Sequence, residues 1–302
     1  MADAVLVTGA AGFVGRHVVA ELGRRGIEHR LAAHRWSSPA ELQRLVGDAA
    51  PVSGCIHLGW YANPADYLVA VEPNALSLAD TLALAGLLDD AGCEKLVVAG
   101  SSAEYASSPE PVDEDAVVRP TTVYGSAKAL CHELLRTRHR PVHTRVAWAR
   151  IFNVIGPGEP AGRILPTVAR ALLAGEPVDL TAGTQVRDYI DVRDVATALV
   201  DLALADVEGA VNVSTGTPRT LRSALEGLAR HAGDASSLRF GARETGAGEN
   251  MYLVGRNDRL RGIGWQPSFE FEQTLLDVIA WWRSEGGRAS APHGALGPQE
   301  TR

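Results

Sequence analysis

Three glycines near the N-terminus constrain this chain more than any other feature. Gly9, Gly12 and Gly15 stand three apart, directly after the short apolar run Ala4–Val7. Val14, Val18 and Leu22 then recur at helical spacing. The order strand, glycine turn, helix lets a pyrophosphate approach the backbone closely. The helix N-terminus supplies N–H groups and positive dipole to the phosphates. A glycine turn alone is weak evidence, and its placement between strand and amphipathic helix is what gives it weight.

The rest of the first half keeps that rhythm. Arg30–Ala33, Cys55–Leu58, Leu96–Ala99 and Val146–Phe152 read as further strands. Pro39–Val46, Ala75–Ala91 and Val123–Arg138 read as the helices between them. Strands alternating with helices imply α/β architecture with a doubly wound, parallel Rossmann sheet. After Asn153 the texture changes. Gly156, Pro157, Gly158 and Pro160 mark a loop, followed by helices over Ile164–Leu173, Val195–Leu204, Leu221–His231 and Phe271–Trp282. Val178–Leu180, Asp188–Ile190 and Val211–Val213 are short strands. The expected division is a dinucleotide-binding domain over 1–153, with 191–215 returning to it. A smaller mixed α/β substrate domain takes 154–190 and 216–285. Residues 286–302, rich in Gly, Ala, Ser and Pro, are expected to be a disordered tail.

Composition narrows the class. A net charge of -7 argues against a nucleic-acid or membrane-surface partner. No uncharged apolar run is long enough to span a bilayer, and the N-terminus lacks a signal-peptide pattern, so the cytoplasm is the expected compartment. Cys55, Cys93 and Cys131 fall in separate elements without metal-ligand spacing, so no metal is expected and all three read as core filler.

Tyr124 and Lys128 stand four apart, which places a phenol and an ammonium on one helix face. A free phenol, with a pKa of about 10, is a poor proton donor and acceptor at neutral pH. A neighbouring ammonium favours the phenolate. Upstream, Gly100, Ser101 and Ser102 end a strand. This Tyr-x-x-x-Lys pair, the Gly-x-x-Gly-x-x-Gly loop and the serine-rich strand end resemble the extended short-chain dehydrogenase/reductases. The likeness covers about 4–283. It implies a catalytic Ser102, Tyr124 and Lys128, with Ser101 as the alternative serine one register away. It also implies a cofactor site of Gly9, Gly12, Phe13, Val14, Gly15, His34, Arg35, Leu58 and Gly59, together with Tyr124 and Lys128. Asn74 sits where relatives carry an Asn, and packing or helix capping explains it as well as catalysis does.

Arg150 to Gly158 looks like the R-x-F-N-x-x-G-P-G stretch of nucleotide-sugar epimerases, dehydratases and reductases, and Arg187 to Val195 like their R-D-[FY]-x-x-V-x-D-V segment. By this resemblance Asn153 and Arg187 contact a substrate diphosphate, with Arg163 and Arg243 as weaker candidates. An arginine fork suits that group because it donates parallel hydrogen bonds. The plainer alternative for Arg187 is a salt bridge to Asp188 or Asp191. Gly264-Trp265-Gln266-Pro267 matches a docking segment of the family and reads as structural.

Many relatives hold NAD through an Asp at the end of the second strand. Here that strand runs into Ala33, His34 and Arg35. Arg35 suits a 2′-phosphate, so NADP(H) is expected over NAD(H). The resemblance then points to a 4-ketoreductase of a nucleotide-linked (dTDP-, GDP- or CDP-) 4-keto-6-deoxyhexose, in deoxysugar biosynthesis. The alternatives are an NAD-dependent 4-epimerase, a 4,6-dehydratase using Glu104 as the C5 base, and a non-catalytic NADP-binding sensor. The resemblance also implies a homodimer built on the helix at Ala75–Ala91 and the helix bearing Tyr124. Leu76, Leu82 and Leu87 offer apolar surface for it.

Overall fold

The computed structural model describes residues 4–32, 39–48, 52–138, 144–233, 235–246 and 249–284. In the first half, β1 (Ala4–Thr8), α1 (Phe13–Arg24), β2 (His29–Ala32), α2 (Pro39–Asp48), β3 (Val52–His57), α3 (Val71–Asp90), β4 (Lys95–Ser101), α4 (Val123–Thr137) and β5 (Arg145–Ile151) alternate. A single 3-10 turn, Ser102–Glu104, follows β4. The second half runs β6 (Asn153–Ile155), α5 (Ile164–Ala174), β7 (Val178–Leu180), β8 (Val186–Asp191), α6 (Val192–Leu204) and β9 (Gly209–Val213). It continues through β10 (Pro218–Thr220), α7 (Leu221–Ala232), β11 (Leu238–Phe240), β12 (Tyr252–Leu253), α8 (Asp258–Gly262) and α9 (Phe271–Arg283).

Six strands form one sheet in the order β2-β1-β3-β4-β5-β9, and every pairing in it is parallel. Strands covered on both faces need apolar residues at every position, and all five residues of β1 are buried. The pleat sorts them. Val5 and Val7 join Val97, Ala147 and Ala149 on the face covered by α1 and α6. Leu6 joins Cys55, Leu96, Val98 and Trp148 on the face covered by α2, α3 and α4. Cys93 and Cys131 pack in that second core, and all three cysteines are free thiols.

The chain leaves the main sheet at Phe152, whose N–H still donates to Val213 O. Its next residue starts β6, which pairs with β8 in a second, smaller sheet. There β8 also pairs with β12 in parallel and β10 antiparallel, while β7 and β11 form a separate ribbon. Helices α5, α7 and α9 cover this half with a core around Leu165, Leu228 and Ile279. Buried Asp188 joins the pieces, accepting from the Thr215 N–H and hydroxyl and from the Gly216 and Gly255 N–H groups. Trp265, from the docking segment, is buried and donates to Thr197 Oγ1 at 3.0 Å. No helix among the described residues is long and apolar enough to cross a membrane.

Candidate active site

Strand order reverses at β1, which has β2 on one side and β3 on the other. In open α/β sheets such a reversal opens a crevice beyond the carboxyl ends of the strands. The loops after β1 and β3 meet there. Gly9 adopts φ +67°, and a Cβ on it would lie 2.8 Å from the Leu58 carbonyl carbon. A Cβ on Gly15 would run into the Gly9 carbonyl oxygen. Gly12 caps α1 without a side-chain hydrogen bond, which leaves the start of that helix free to meet an anion. Gly9, Gly12, Phe13, Val14, Gly15, Leu58 and Gly59 all line one cavity of about 970 Å³. This cradle fits a dinucleotide pyrophosphate. His34 and Arg35 lie outside the described residues.

Tyr124 and Lys128 stand in the wall of the same cavity. Thr122 caps α4 by accepting from the Gly125 N–H at 3.0 Å. A side chain at Gly125 would run into the Ala103 carbonyl. The glycine therefore lets the first turn of α4 close onto the 3-10 turn. Burial pushes the Tyr124 phenol well above its ordinary pKa, and Ser101 acts against that shift. Lys128 Nζ donates to Ala99 O at 2.6 Å. Burial draws its pKa down to about 7.

The count back from Tyr105 selects Ser101 and the match at Glu104 favours Ser102; Ser101 is the one whose side chain opposes the upward shift of the Tyr124 phenol. Ser101 ends β4 and caps the 3-10 turn, accepting from the Ala103 N–H at 3.1 Å. Ser101 and Ser102 both line the cavity wall. Glu104 turns the other way. It is fully buried and accepts from Arg150 Nε at 2.9 Å, Trp148 Nε1 at 2.9 Å and the Ser101 N–H at 2.7 Å. A carboxylate locked in that network does not reach the cavity as a base.

Asn74 is a packing residue. Its amide accepts from Trp60 Nε1 at 2.9 Å and donates to the Tyr67 and Ala70 carbonyls. At the far end of the cavity the buried Asn153 Nδ2 has no partner, a donor left for a ligand. Arg187 lies in the same wall and pairs with neither Asp188 nor Asp191. It donates to Val186 O at 2.9 Å and meets Glu249 at 3.3 Å. Asp191 is taken by Arg193 and Thr274. Arg163 reaches the wall while paired with Glu159 at 3.0 Å. Arg243 is exposed and, among the described residues, is not part of the wall. Sequence reasoning missed Trp60, Tyr67 and Glu249, which do line it. Trp60 had one signal: it follows the end of β3 by three residues, at the crevice.

A reversed parallel sheet with a glycine-lined crevice and a buried Tyr–Lys pair defines a nucleotide-binding oxidoreductase of the short-chain dehydrogenase/reductase type. Comparison with known proteins agrees. Residues 5–214 match the NAD dependent epimerase/dehydratase family. A UDP-glucose 4-epimerase of Azospirillum brasilense is 29% identical, with 96% of each chain covered. A GDP-6-deoxy-D-mannose reductase of Pseudomonas aeruginosa is 27% identical, covering 94% of this chain and 98% of its own. The structure of RMD from Pseudomonas aeruginosa complexed with NADPH superposes with a TM-score of 0.81 at 25% identity, covering 95% of this chain and 99% of that one. The chain belongs to the NAD dependent epimerase/dehydratase family and is an NAD(P)-dependent enzyme.

Proposed function

We propose that this enzyme reduces the keto group of a nucleotide-linked 4-keto-6-deoxyhexose with NADPH. The observation that carries the reading is one continuous cavity. It joins the glycine loop, the Ser101–Tyr124–Lys128 group and the end lined by Asn153 and Arg187. When bound, NADPH supplies the hydride. Tyr124 gives its phenolic proton to the oxygen that becomes the alcohol, and Ser101 donates a hydrogen bond to the same oxygen. Lys128 keeps a positive charge beside the phenol, which favours proton release. Arg187 and the free amide N–H of Asn153 hold the diphosphate, and that remote binding energy orients the carbonyl. The inward Glu104 supports a reductase over a 4,6-dehydratase. The sequence end of β2 offers Arg35 in place of a carboxylate, which supports NADPH. The Azospirillum relative favours a second reading, a 4-epimerase.

A panel of nucleotide-4-keto-6-deoxysugars with each cofactor tests the proposal. The expected result is stoichiometric NADPH oxidation. Tyr124→Phe should lower turnover about 10²–10⁴-fold, and Ser101→Ala should do more harm than Ser102→Ala. Tightly bound NAD⁺ with epimer formation and no added cofactor would make the epimerase reading correct.

A further inference from the structure

The Lys128 ammonium has a partner that neither the Tyr-Lys motif nor the cavity's phosphate-binding end accounts for. Its nitrogen lies 3.6 Å from the centre of the Trp60 ring. The same ring stands edge-on to Tyr124, with centroids 6.4 Å apart and planes at 86°. A ring face is the electron-rich side of an aromatic, and a cation over it is stabilised most where water is excluded. Lys128 is 2% exposed. The indole is held in place: its N–H donates to Asn74 Oδ1 at 2.9 Å, and Asn74 is tied to the Tyr67 and Ala70 carbonyls at 2.8 and 2.7 Å.

The other groups facing Lys128 are few. On its own helix stand Tyr124 and the Cys131 thiol, both pushed up by burial, so neither is an anion at neutral pH. From β3, His57 is held neutral, its pKa drawn down to about 3 by burial. From β4 comes the Ala99 carbonyl. Glu104, on the turn after β4, has its pKa raised by burial against the neighbouring Arg150 guanidinium, and its carboxyl is committed to Arg150 and Trp148.

We propose that Trp60 is a positioning residue for the Tyr–Lys pair: its indole face, fixed by Asn74, seats the Lys128 ammonium and keeps it charged beside Tyr124. This rests on the reading of Tyr124 and Lys128 as the proton-transfer pair. Removing the ring face leaves burial less opposed, so Lys128 loses its proton at lower pH.

Two measurements test it. The first is the pH profile of kcat/KM with the reducible substrate. In Trp60→Leu the alkaline limb should move acidward by about one pH unit. Trp60→Phe keeps a ring face and loses the bond to Asn74, and should show a smaller shift. The second needs neither substrate nor cofactor. The indole emission present in wild type and absent from Trp60→Phe should titrate over the range of that alkaline limb, and should be flat in Lys128→Met. An unmoved limb in Trp60→Leu, or emission that does not titrate, overturns the proposal. Should Trp60→Leu fail to fold, Trp60→Phe and the emission titration decide. Tyr124→Phe run in parallel separates the two ideas: full activity there sinks the proton-transfer reading, while the emission result stands by itself.

Discussion

Lys128 stands where its charge is disfavoured, and that has a thermodynamic signature apart from catalysis. Burial lowers its pKa from 10.5 to about 7. Below pH 7 the native ammonium is charged and bears its full desolvation penalty. Between 7 and 10.5 the unfolded chain binds a proton that the folded chain does not, so stability rises with pH through that window. Lys128→Met removes the penalty. The variant should be inactive yet more stable than wild type at pH 6, by roughly 1–4 kcal/mol. The gain should shrink to nothing above pH 10.5. Denaturant unfolding at pH 6, 8 and 10 checks this, and a variant weaker than wild type at pH 6 contradicts it. The Tyr–Lys spacing was legible in the sequence because four residues make one helix turn. The serine register was not. Ser101 and Ser102 are chemically alike and adjacent, and the choice is made by the bend of the 3-10 turn and by how closely Gly125 lets α4 approach. Glu104 was left open by the sequence for a related reason. Its motif position is that of a base, but its orientation depends on Arg150 and Trp148, strand neighbours more than 40 residues away.

At the scale of elements, β1, β3, β4 and β5 were legible because buried parallel strands read as unbroken apolar runs. Strands β6, β10, β11 and β12 were not. Each has two or three residues, too few to show a period of two, and their pairing is set by segments distant in sequence. The small sheet therefore depends on a few polar ties more than on its own propensity. Asp188 is the chief one, fully buried on β8 and accepting four hydrogen bonds from the chain after β9 and after β12. Burial raises its pKa despite those bonds. Asp188→Ala would leave buried N–H groups unpaired and should cost about 3–5 kcal/mol. A thermal melt should show the loss, and diphosphate affinity should fall with it, because the neighbouring Arg187 sits on the same strand. A melt within a degree of wild type would show that water replaces the carboxylate.

For the whole molecule, the surface left over by the fold raises the question of a second copy. Helices α3 and α4 pack side by side over one face of the main sheet. Two of the three leucines expected to face outward do not: Leu82 and Leu87 pack partly against the core shared by α2, α3 and α4. Leu76 does face out, at 46% exposed, and the structure adds Leu130 and Leu134 on α4 at 52% and 40%. Leu130 and Leu134 are one turn apart, so they form a stripe. Val69 and Val71, before and at the start of α3, are also exposed. Scattered apolar residues on a surface need no explanation, and we propose that the Leu130 and Leu134 stripe on α4, beside α3, is a packing surface. Symmetric pairing of these helices across a two-fold axis would bury the same stripe on both subunits and give a four-helix contact. The expected state is a dimer at micromolar concentration, measured by light scattering or sedimentation. Leu130→Glu with Leu134→Glu should convert it to a monomer, since pairing would force four carboxylates into one apolar contact. Because Tyr124 and Lys128 face the cavity from the same helix that carries the stripe, monomerisation should also loosen the catalytic end of α4 and lower kcat more than it changes cofactor affinity. Wild-type protein that is monomeric across that concentration range would remove the dimer, and the Leu130 and Leu134 stripe would then be ordinary exposed surface.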